Sequence, residues 1–296
     1  RVGTSLPSQA PGSYVREALL NGIRLQANQQ FNPFKLGIIG SSDTHGDSGE
    51  MRSPLANDTS GTVDEFSQIP YYNKGSVAGL AGVWAEENTR DSIYDAFRRK
   101  ETFGTTGPRM KVRFFAGYDL PSIDDRDLLS KAYANGVPMG GDLFTNADQE
   151  PSFLAWVAKD VNSAPLQRVQ IIKGWVEDGE AMEEVYDVAC SDGGVIDATS
   201  NRCPDNGARV NLSDCSISSG VGADELKVVW RDPSFDASQL AFYYVRALEN
   251  PSCRWTTLNA IRLGEEPPAS DSSGRDVAAT IQERVWSSPI WVTPDQ

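Results

Sequence analysis

A change in residue pattern near residue 110 is the feature that most constrains the fold of this chain. From there onward, short stretches that alternate apolar with polar residues, or are mostly apolar, are separated by turn-rich segments. These stretches are 112–114, 153–157, 166–176, 226–230, 241–248 and 290–292. Short strands joined by turns are typical of an antiparallel β-sandwich. We therefore predict a β-sandwich domain over residues 110–296.

The first 109 residues have a different organisation. Residues 13–30 have helical apolar spacing, and residues 34–39 form a short apolar run that predicts a strand buried on both faces. That run leads into the polar cluster Gly40-Ser41-Ser42-Asp43-Thr44-His45, and a second helix is predicted over residues 89–100. Helix, strand and then polar residues at the strand's carboxyl end are the order found in α/β barrels. We predict an α/β domain over residues 1–109.

The charge of the chain argues against some classes of partner. With 41 acidic and 27 basic residues, its formal net charge is −14. Such a chain repels the phosphates of nucleic acids and anionic membrane surfaces. No run approaches the roughly 18 apolar residues of a membrane helix. We therefore expect no nucleic-acid partner and no membrane span.

Four cysteines, at positions 190, 203, 215 and 253, indicate where the protein works. Their spacing is not that of a zinc knuckle, and most of them lie in a polar stretch that would not bury free thiols well. Two disulfide bonds are the favoured interpretation over four free thiols, with three pairings possible. They predict a periplasmic or secreted protein with a disulfide-stapled loop over residues 190–222. That loop is rich in acidic residues but lacks the spacing of a calcium-binding EF-hand.

His45 is the only histidine in the chain, so it narrows the search for a catalytic site. Residues i and i+2 of an extended backbone point the same way, so the side chains of Asp43 and His45 would converge. A carboxylate and an imidazole suit zinc, manganese or iron. The alternatives are an Asp that caps a turn beside a surface His, or a triad with Ser41 or Ser42, which no nucleophile-elbow motif supports. A hydrolytic metal centre also needs further ligands.

Longer stretches of the sequence carry a family resemblance. GIIGSSDTH is similar to the last metal-binding motif of hydrolases of the PHP (polymerase and histidinol phosphatase) type, part of the amidohydrolase-like superfamily. The chain more closely resembles the C-terminal half of a bacterial PHP-related family of uncharacterised function. The stretches that carry this resemblance are NPFKLGIIGSSDTH, GLAGVWAEENTRDSIYDAFRRKETFGTTGPRMKVRFF, SAPLQRVQIIKGWVEDGE, CPDNGA, YYVRALENPSCRW and WSSPIW.

The resemblance implies a fold and an activity. It implies that residues 1–109 are the C-terminal part of a distorted α/β barrel, with Asp43 and His45 as metal ligands. The N-terminal half of the same protein would be the partner that supplies the remaining ligands. Zinc is the expected metal, with manganese or iron as alternatives and more than one ion present. A metal-activated water would hydrolyse a phosphoester, carboxylic ester, lactone or amide bond of a small-molecule substrate.

Other residues are assigned to the same site. Arg109 follows a Gly-rich turn and is predicted to stabilise an oxyanion, the alternative being a surface ion pair. Asp43 is both a ligand and a candidate acceptor of the water proton. Ser42, Glu86 and Glu87 are predicted to line the substrate cleft, although a solvated turn explains the two glutamates as well.

Two further hypotheses about function need no metal. The β-sandwich is a non-catalytic module that binds carbohydrate or protein, or it only shields and completes the barrel. Binding that survives chelation and the loss of His45 would distinguish the binding module from the hydrolase.

Overall fold

The structure is a computed structural model, and it describes residues 12, 14–41, 79–145, 149–270 and 276–295. These residues contain four helices: α1 (Val15–Gln29), α2 (Arg90–Arg98), α3 (Leu128–Asn135) and α4 (Trp255–Leu263). Their strands are β1 (Leu80–Val83), β2 (Thr102–Thr105), β3 (Lys111–Gly117), β4 (Gly136–Pro138), β5 (Asp142–Phe144), β6 (Ser152–Ala158), β7 (Leu166–Glu177), β8 (Glu180–Cys190), β9 (Glu225–Arg231), β10 (Ala241–Glu249), β11 (Ser252–Cys253), β12 (Thr280–Ile281), β13 (Arg284–Ser287) and β14 (Ile290–Thr293). The described protein is therefore mostly β, and its sheets are mostly antiparallel.

The larger sheet is organised around β10. One edge of β10 pairs along its whole length with β7, which pairs in turn with β8. Its other edge is shared between β14 and β13. β13 continues to β2 and β1, while β14 pairs in parallel with β5. The smaller sheet has the order β4-β3-β6-β9 and is entirely antiparallel.

The two sheets face each other across the main hydrophobic core. Phe114 and Phe153 of the smaller sheet meet Val169, Tyr243 and Val245 of the larger one, all at most 1% exposed. Alternating apolar residues along β3 and β6 produce this arrangement, because successive side chains of a strand point to opposite faces. The predicted sandwich-like component is thus present, with observed strands at all six predicted stretches.

A helix covers the outer face of each sheet. Leu19 and Ile23 of α1 pack against Ile172, Phe242 and Trp291 of the larger sheet. On the other side, α3 packs against the outer face of the smaller sheet. The result is four layers. Two elements from the first 109 residues contact later ones, because α1 packs against the larger sheet and β2 pairs with β13. The domain division at 109/110 stays a prediction, and these contacts cross it.

The prediction of a buried strand over residues 34–39 is wrong. No strand is present in this described segment, and Leu36 and Ile39 are 43% and 55% exposed. Its backbone lies alongside β2 but makes only isolated contacts, such as that from the Ile38 amide to the Ser288 hydroxyl at 2.8 Å. Isolated contacts of this kind do not form the regular ladder of a sheet.

The disulfide prediction is confirmed. Cys190 is bonded to Cys203, and Cys215 to Cys253. The first bond closes the beginning of the stapled loop, and the second ties the loop to β11. Beside the first bond, the buried carboxylate of Asp187 accepts hydrogen bonds from the Cys203 amide at 2.7 Å and the Gln170 side chain at 2.6 Å. The loop is therefore held covalently and by a buried acceptor.

The two disulfides should differ in their contribution to stability. The bonds span 13 and 38 residues, so loop-closure entropy predicts about 3 and about 4 kcal/mol respectively. We expect the double variant Cys215→Ser/Cys253→Ser to lose more free energy of unfolding than Cys190→Ser/Cys203→Ser. Urea denaturation of both variants measures the difference, and the reverse order would contradict the entropic explanation.

A buried ion pair between the sheets should be sensitive to the loss of one partner. Lys173 Nζ lies 2.6 Å from Asp232 Oδ2, both side chains are at most 2% exposed, and the Tyr243 hydroxyl donates to the same oxygen at 2.7 Å. Lys173→Met leaves the carboxylate without its cation, and we expect a loss of about 3–5 kcal/mol. The matched control is Lys227→Met, which breaks the more exposed pair with Glu225 and should cost less than about 1 kcal/mol. Equal losses of stability in the two variants, measured by thermal denaturation, would show that burial gives the Lys173–Asp232 pair no additional importance.

Candidate functional site

The predicted metal motif itself lies outside the described residues. Ser42, Asp43 and His45 all fall between residue 41 and residue 79. Among the residues that the structure does describe, no group of three or more His, Cys, Asp or Glu side chains could hold a metal ion. The described part of the chain therefore supplies no complete ligand set, and any metal held by Asp43 and His45 would need ligands from elsewhere.

The approach to the motif is described, and close backbone packing positions it. The Gly40 amide donates to the Leu80 carbonyl at 3.2 Å. A Cβ atom on Gly40 would lie 2.5 Å from that oxygen and 2.7 Å from the Thr105 carbonyl, and one on Gly104 would lie 2.6 Å from the Gly40 nitrogen. Such distances leave no room for a side chain. Glycine at these positions lets the segment that ends at Ser41 lie directly against β1 and β2.

The contacts also give the direction of this segment. A Cβ on Gly37 would meet Lys100 and Thr102, at the start of β2, whereas Gly40 lies beside Thr105, at its end. The segment therefore runs parallel to β2. Its last described residue, Ser41, lies at the edge of the sheet where β2 ends and the turn to Arg109 begins.

Arg109 lies beyond this same end of β2. Its backbone amide donates to Asp160 Oδ2 at 2.7 Å, and the residue is exposed. The preceding turn is fixed by the Gly107 amide, which donates to the Thr105 hydroxyl at 3.2 Å. The structure thus places Arg109 and the approach to the metal motif on one edge of the larger sheet.

Glu86 and Glu87 lie towards the other end. Val83, the last residue of β1, pairs with Thr102, and the next amide, of Trp84, donates to the Glu101 carbonyl at 3.0 Å. Both glutamates are exposed and form the turn into α2, where the Glu87 amide donates to the Ser92 hydroxyl at 3.1 Å. A strand of four residues is about 10 Å long. The structure therefore does not bring these glutamates together with Ser41.

The side chain of Trp84 is held by contacts within the protein. Its indole Nε1 donates to the Val112 carbonyl at 2.8 Å, and the Arg113 guanidinium carbon lies 3.4 Å from the ring centroid. The same guanidinium contacts the Tyr133 hydroxyl, which donates to the buried carboxylate of Glu101. Burial, followed by this bond to Glu101, raises the pKa of Tyr133 to about 12. This end of the sheet is thus a packed charged cluster.

Three buried carboxyl groups beside the Arg109 turn were missed from the sequence. Asp160, Glu249 and Glu283 are 6%, 0% and 4% exposed. The Ser163 hydroxyl donates to Glu249 Oε2 at 2.5 Å, whereas Glu249 Oε1 and Glu283 Oε2 have no hydrogen-bond partner among the described residues. The sequence of β10 could have indicated the burial of Glu249, because this residue lies two positions after the core residue Ala247 and four after Val245. Alternate residues of a strand point to the same face.

Glu249 is the most perturbed member of this buried carboxyl cluster. Burial, which disfavours the charged form, and the neighbouring charges of Glu283 and Asp160 raise the pKa of Glu249 to about 8. A carboxyl with this pKa is mostly protonated at neutral pH. A protonated Glu249 adds no negative charge to this buried region.

The raised pKa predicts a pH-dependent effect of Glu249→Gln. The pKa of Glu249 in the folded protein, about 8, is higher than its ordinary value of 4.5. Protonated Glu249 therefore contributes its full stabilisation of the fold below pH 4.5. That contribution falls as pH rises and is lost above about 8. Glutamine cannot ionise, so the variant should gain stability relative to the parent between pH 5 and 9, on the order of 3 kcal/mol at the upper end.

Urea denaturation at several pH values measures this effect. The control is Glu265→Gln, an exposed glutamate whose loss should change stability by less than about 0.5 kcal/mol at every pH. A constant difference between Glu249→Gln and the parent from pH 5 to 9 would contradict an unusual titration of Glu249.

Comparison with known proteins gives one match. No curated protein and no solved structure matches this chain. The family described as Protein of unknown function (DUF3604) matches residues 1–294, which is nearly the whole chain. The chain therefore belongs to the DUF3604 family.

Proposed function

We propose that the protein is a metal-dependent hydrolase of the PHP type, in which this chain supplies part of the active site. Asp43 and His45 are metal ligands, and a further half of the protein completes a distorted α/β barrel and the ligand set. Zinc is the preferred metal, with manganese or iron as alternatives and more than one ion bound. The bound metal supplies a water of lowered pKa and polarises the scissile bond of a small molecule.

The observation that carries this proposal is the position of the segment leading to the motif. Gly40 and Gly104 allow that segment to lie against β1 and β2, and it ends on the edge of the sheet where Arg109 follows β2. A rigid approach of this kind supports a site that must hold ligands accurately. The exposed Arg109 side chain on that edge can stabilise negative charge that develops on the substrate.

Exposed apolar side chains on this segment and on α2 support a partner that completes the barrel. Leu36 and Ile39 are 43% and 55% exposed, and Tyr94 and Phe97 of the neighbouring α2 are 61% and 42% exposed. Four large, exposed apolar side chains on neighbouring elements are typical of a surface that another protein segment covers. We infer that the further half of the barrel packs here.

The roles of the chain's own residues follow from this arrangement. Asp43 binds the metal and accepts the proton of the attacking water, and His45 is a ligand rather than a free base. Ser42 lies between the approach segment and Asp43 in sequence and is the candidate for substrate binding. The positions of Glu86 and Glu87 at the opposite end of β1 favour their alternative role as a solvated turn.

The disulfide bonds bear on where the protein works. Two disulfide bonds join all four cysteines, as in proteins outside the reducing cytosol. None of the described helices is long and apolar enough to cross a membrane. We propose that the hydrolase acts in the periplasm or after secretion.

Elemental analysis of the longer protein, purified without chelator, tests the proposal. We expect about one to three transition-metal ions per molecule, as in a small metal cluster. The variants Asp43→Asn and His45→Ala should lose this metal. Asp91→Asn, an exposed aspartate in α2, is the control and should keep the metal. A metal-free protein, or one whose metal content is unchanged in both ligand variants, would overturn the proposal.

Arg109→Gln tests the oxyanion role separately. We expect kcat to fall by about 10²–10³ on whichever nitrophenyl phosphate, ester or lactone the enzyme hydrolyses, with metal content unchanged. Arg126→Gln, another exposed arginine, should keep its activity. Ligand binding that survives both chelation and His45→Ala, without hydrolysis, would favour the binding-module alternative.

A further inference from the structure

A small cavity lies where the stapled loop meets the larger sheet. Its volume is about 260 Å³. The polar side of its lining comes from the start of β7, the stapled loop and the segment before β13, and includes Gln167, Arg168, Asp205, Arg209 and Gln282. None of these residues belongs to the predicted metal site, so the cavity is independent of the proposed hydrolase.

Covalent and hydrogen bonds fix the walls of the cavity. Pro204 directly follows Cys203, which is bonded to Cys190, and Pro251 lies two residues before Cys253, which is bonded to Cys215. The side-chain amide of Gln282 donates to Gln167 Oε1 at 2.9 Å and to the backbone carbonyl of Glu249 at 2.9 Å. A cavity held in this way is preformed, which lowers the entropic cost of binding a ligand.

The charged side chains of the lining are two arginines and one aspartate. Both Nη atoms of Arg209 donate to the Asp205 carboxylate, at 3.3 and 2.8 Å, and Nη1 also donates to the Ala208 carbonyl at 2.8 Å. Arg168 is the second cation of the lining. The pKa of Asp205 is lowered by this hydrogen bond first, and also by the charge on Arg168, so both guanidinium groups act on one carboxylate. The lining therefore carries an excess positive charge in a chain whose net charge is −14.

Arg168 is only weakly neutralised within the protein. Its Nη1 lies 3.5 Å from Asp187 Oδ2, and Asp187 is shared with Arg202, also at 3.5 Å. The buried Nε of Arg168 has no acceptor among the described residues. Within the described part of the chain, Arg168 therefore has no carboxylate at close hydrogen-bond distance, and a guanidinium in this state retains capacity for another anion.

We propose that this cavity binds a small hydroxylated carboxylate of the size of a hexuronate. The guanidinium of Arg168 binds its carboxylate, and Arg209, which is held by Asp205, supplies a second positive charge beside it. Pro204, Ala208 and Pro251 form an apolar wall against which the C–H face of a sugar ring can pack. The cavity is slightly smaller than the roughly 300–1,000 Å³ of drug-sized ligand pockets, which suits a ligand of about one sugar ring.

Titration calorimetry of the disulfide-bonded protein with glucuronate and galacturonate tests this proposal. We expect saturable binding of at least one of them with a Kd near 1 mM or lower, and none of glucose, which lacks the carboxylate. Arg209→Gln should weaken binding at least about tenfold, because it removes one positive charge from the lining and leaves the Asp205 carboxylate without its cation. The side chain of Arg209 is 69% exposed, so this variant should fold normally.

Arg126→Gln is the matched control, since it removes one exposed positive charge from a loop that does not line the cavity. Binding of uronate should be unchanged in this control. The proposal is overturned by the absence of saturable uronate binding, by equal binding of glucose, or by an equal loss of affinity in Arg126→Gln and Arg209→Gln.

Discussion

Strand β10 is the element on which the rest of the larger sheet depends. All of its residues but one are buried, and its two edges bond to β7 on one side and to β13 and β14 on the other. One face contributes Tyr243, Val245 and Ala247 to the core between the sheets. The opposite face contributes Phe242 and Tyr244 to the contact with α1. Because backbone and side chains are both fully engaged, this strand fixes the position of elements from both ends of the chain.

The same strand explains the unusual electrostatics near Arg109. The alternation that places Val245 and Ala247 in the core places the next inward residue, Glu249, there as well. Glu283, before β13, and Asp160, after β6, are buried near Glu249, and their charges act on it. Burial disfavours the charged form of a carboxyl, and together with these neighbours it raises the pKa of Glu249 to about 8.

Two kinds of constraint hold the surfaces to which we assign function. The approach to the predicted metal motif is positioned by backbone contact that only glycine permits, at Gly40 and Gly104. The cavity beside the stapled loop is instead held by two disulfides and by hydrogen bonds to Asp187. Both devices provide rigidity where the local chain lacks regular secondary structure. Rigid loops of this kind are where binding residues are commonly found.

The sequence by itself determined the main strands, the first two helices and the oxidised state of the cysteines. These follow from local pattern and composition, as in 241–248, a mostly apolar run of the kind found in a strand buried on both faces. Whether Asp43 and His45 bind metal stays a prediction, since they lie outside the described residues.

Only the tertiary structure decided which cysteines pair, that residues 34–39 form no strand, and that Glu86 and Glu87 lie at the opposite end of β1 from Ser41. It also decided that the buried residues Asp160 and Glu283 lie near Glu249. The physical reason is that these features depend on contacts between residues distant in the chain, such as the antiparallel register of β1 with β2. Local patterns specify which face of an element is apolar, but not which other element covers it.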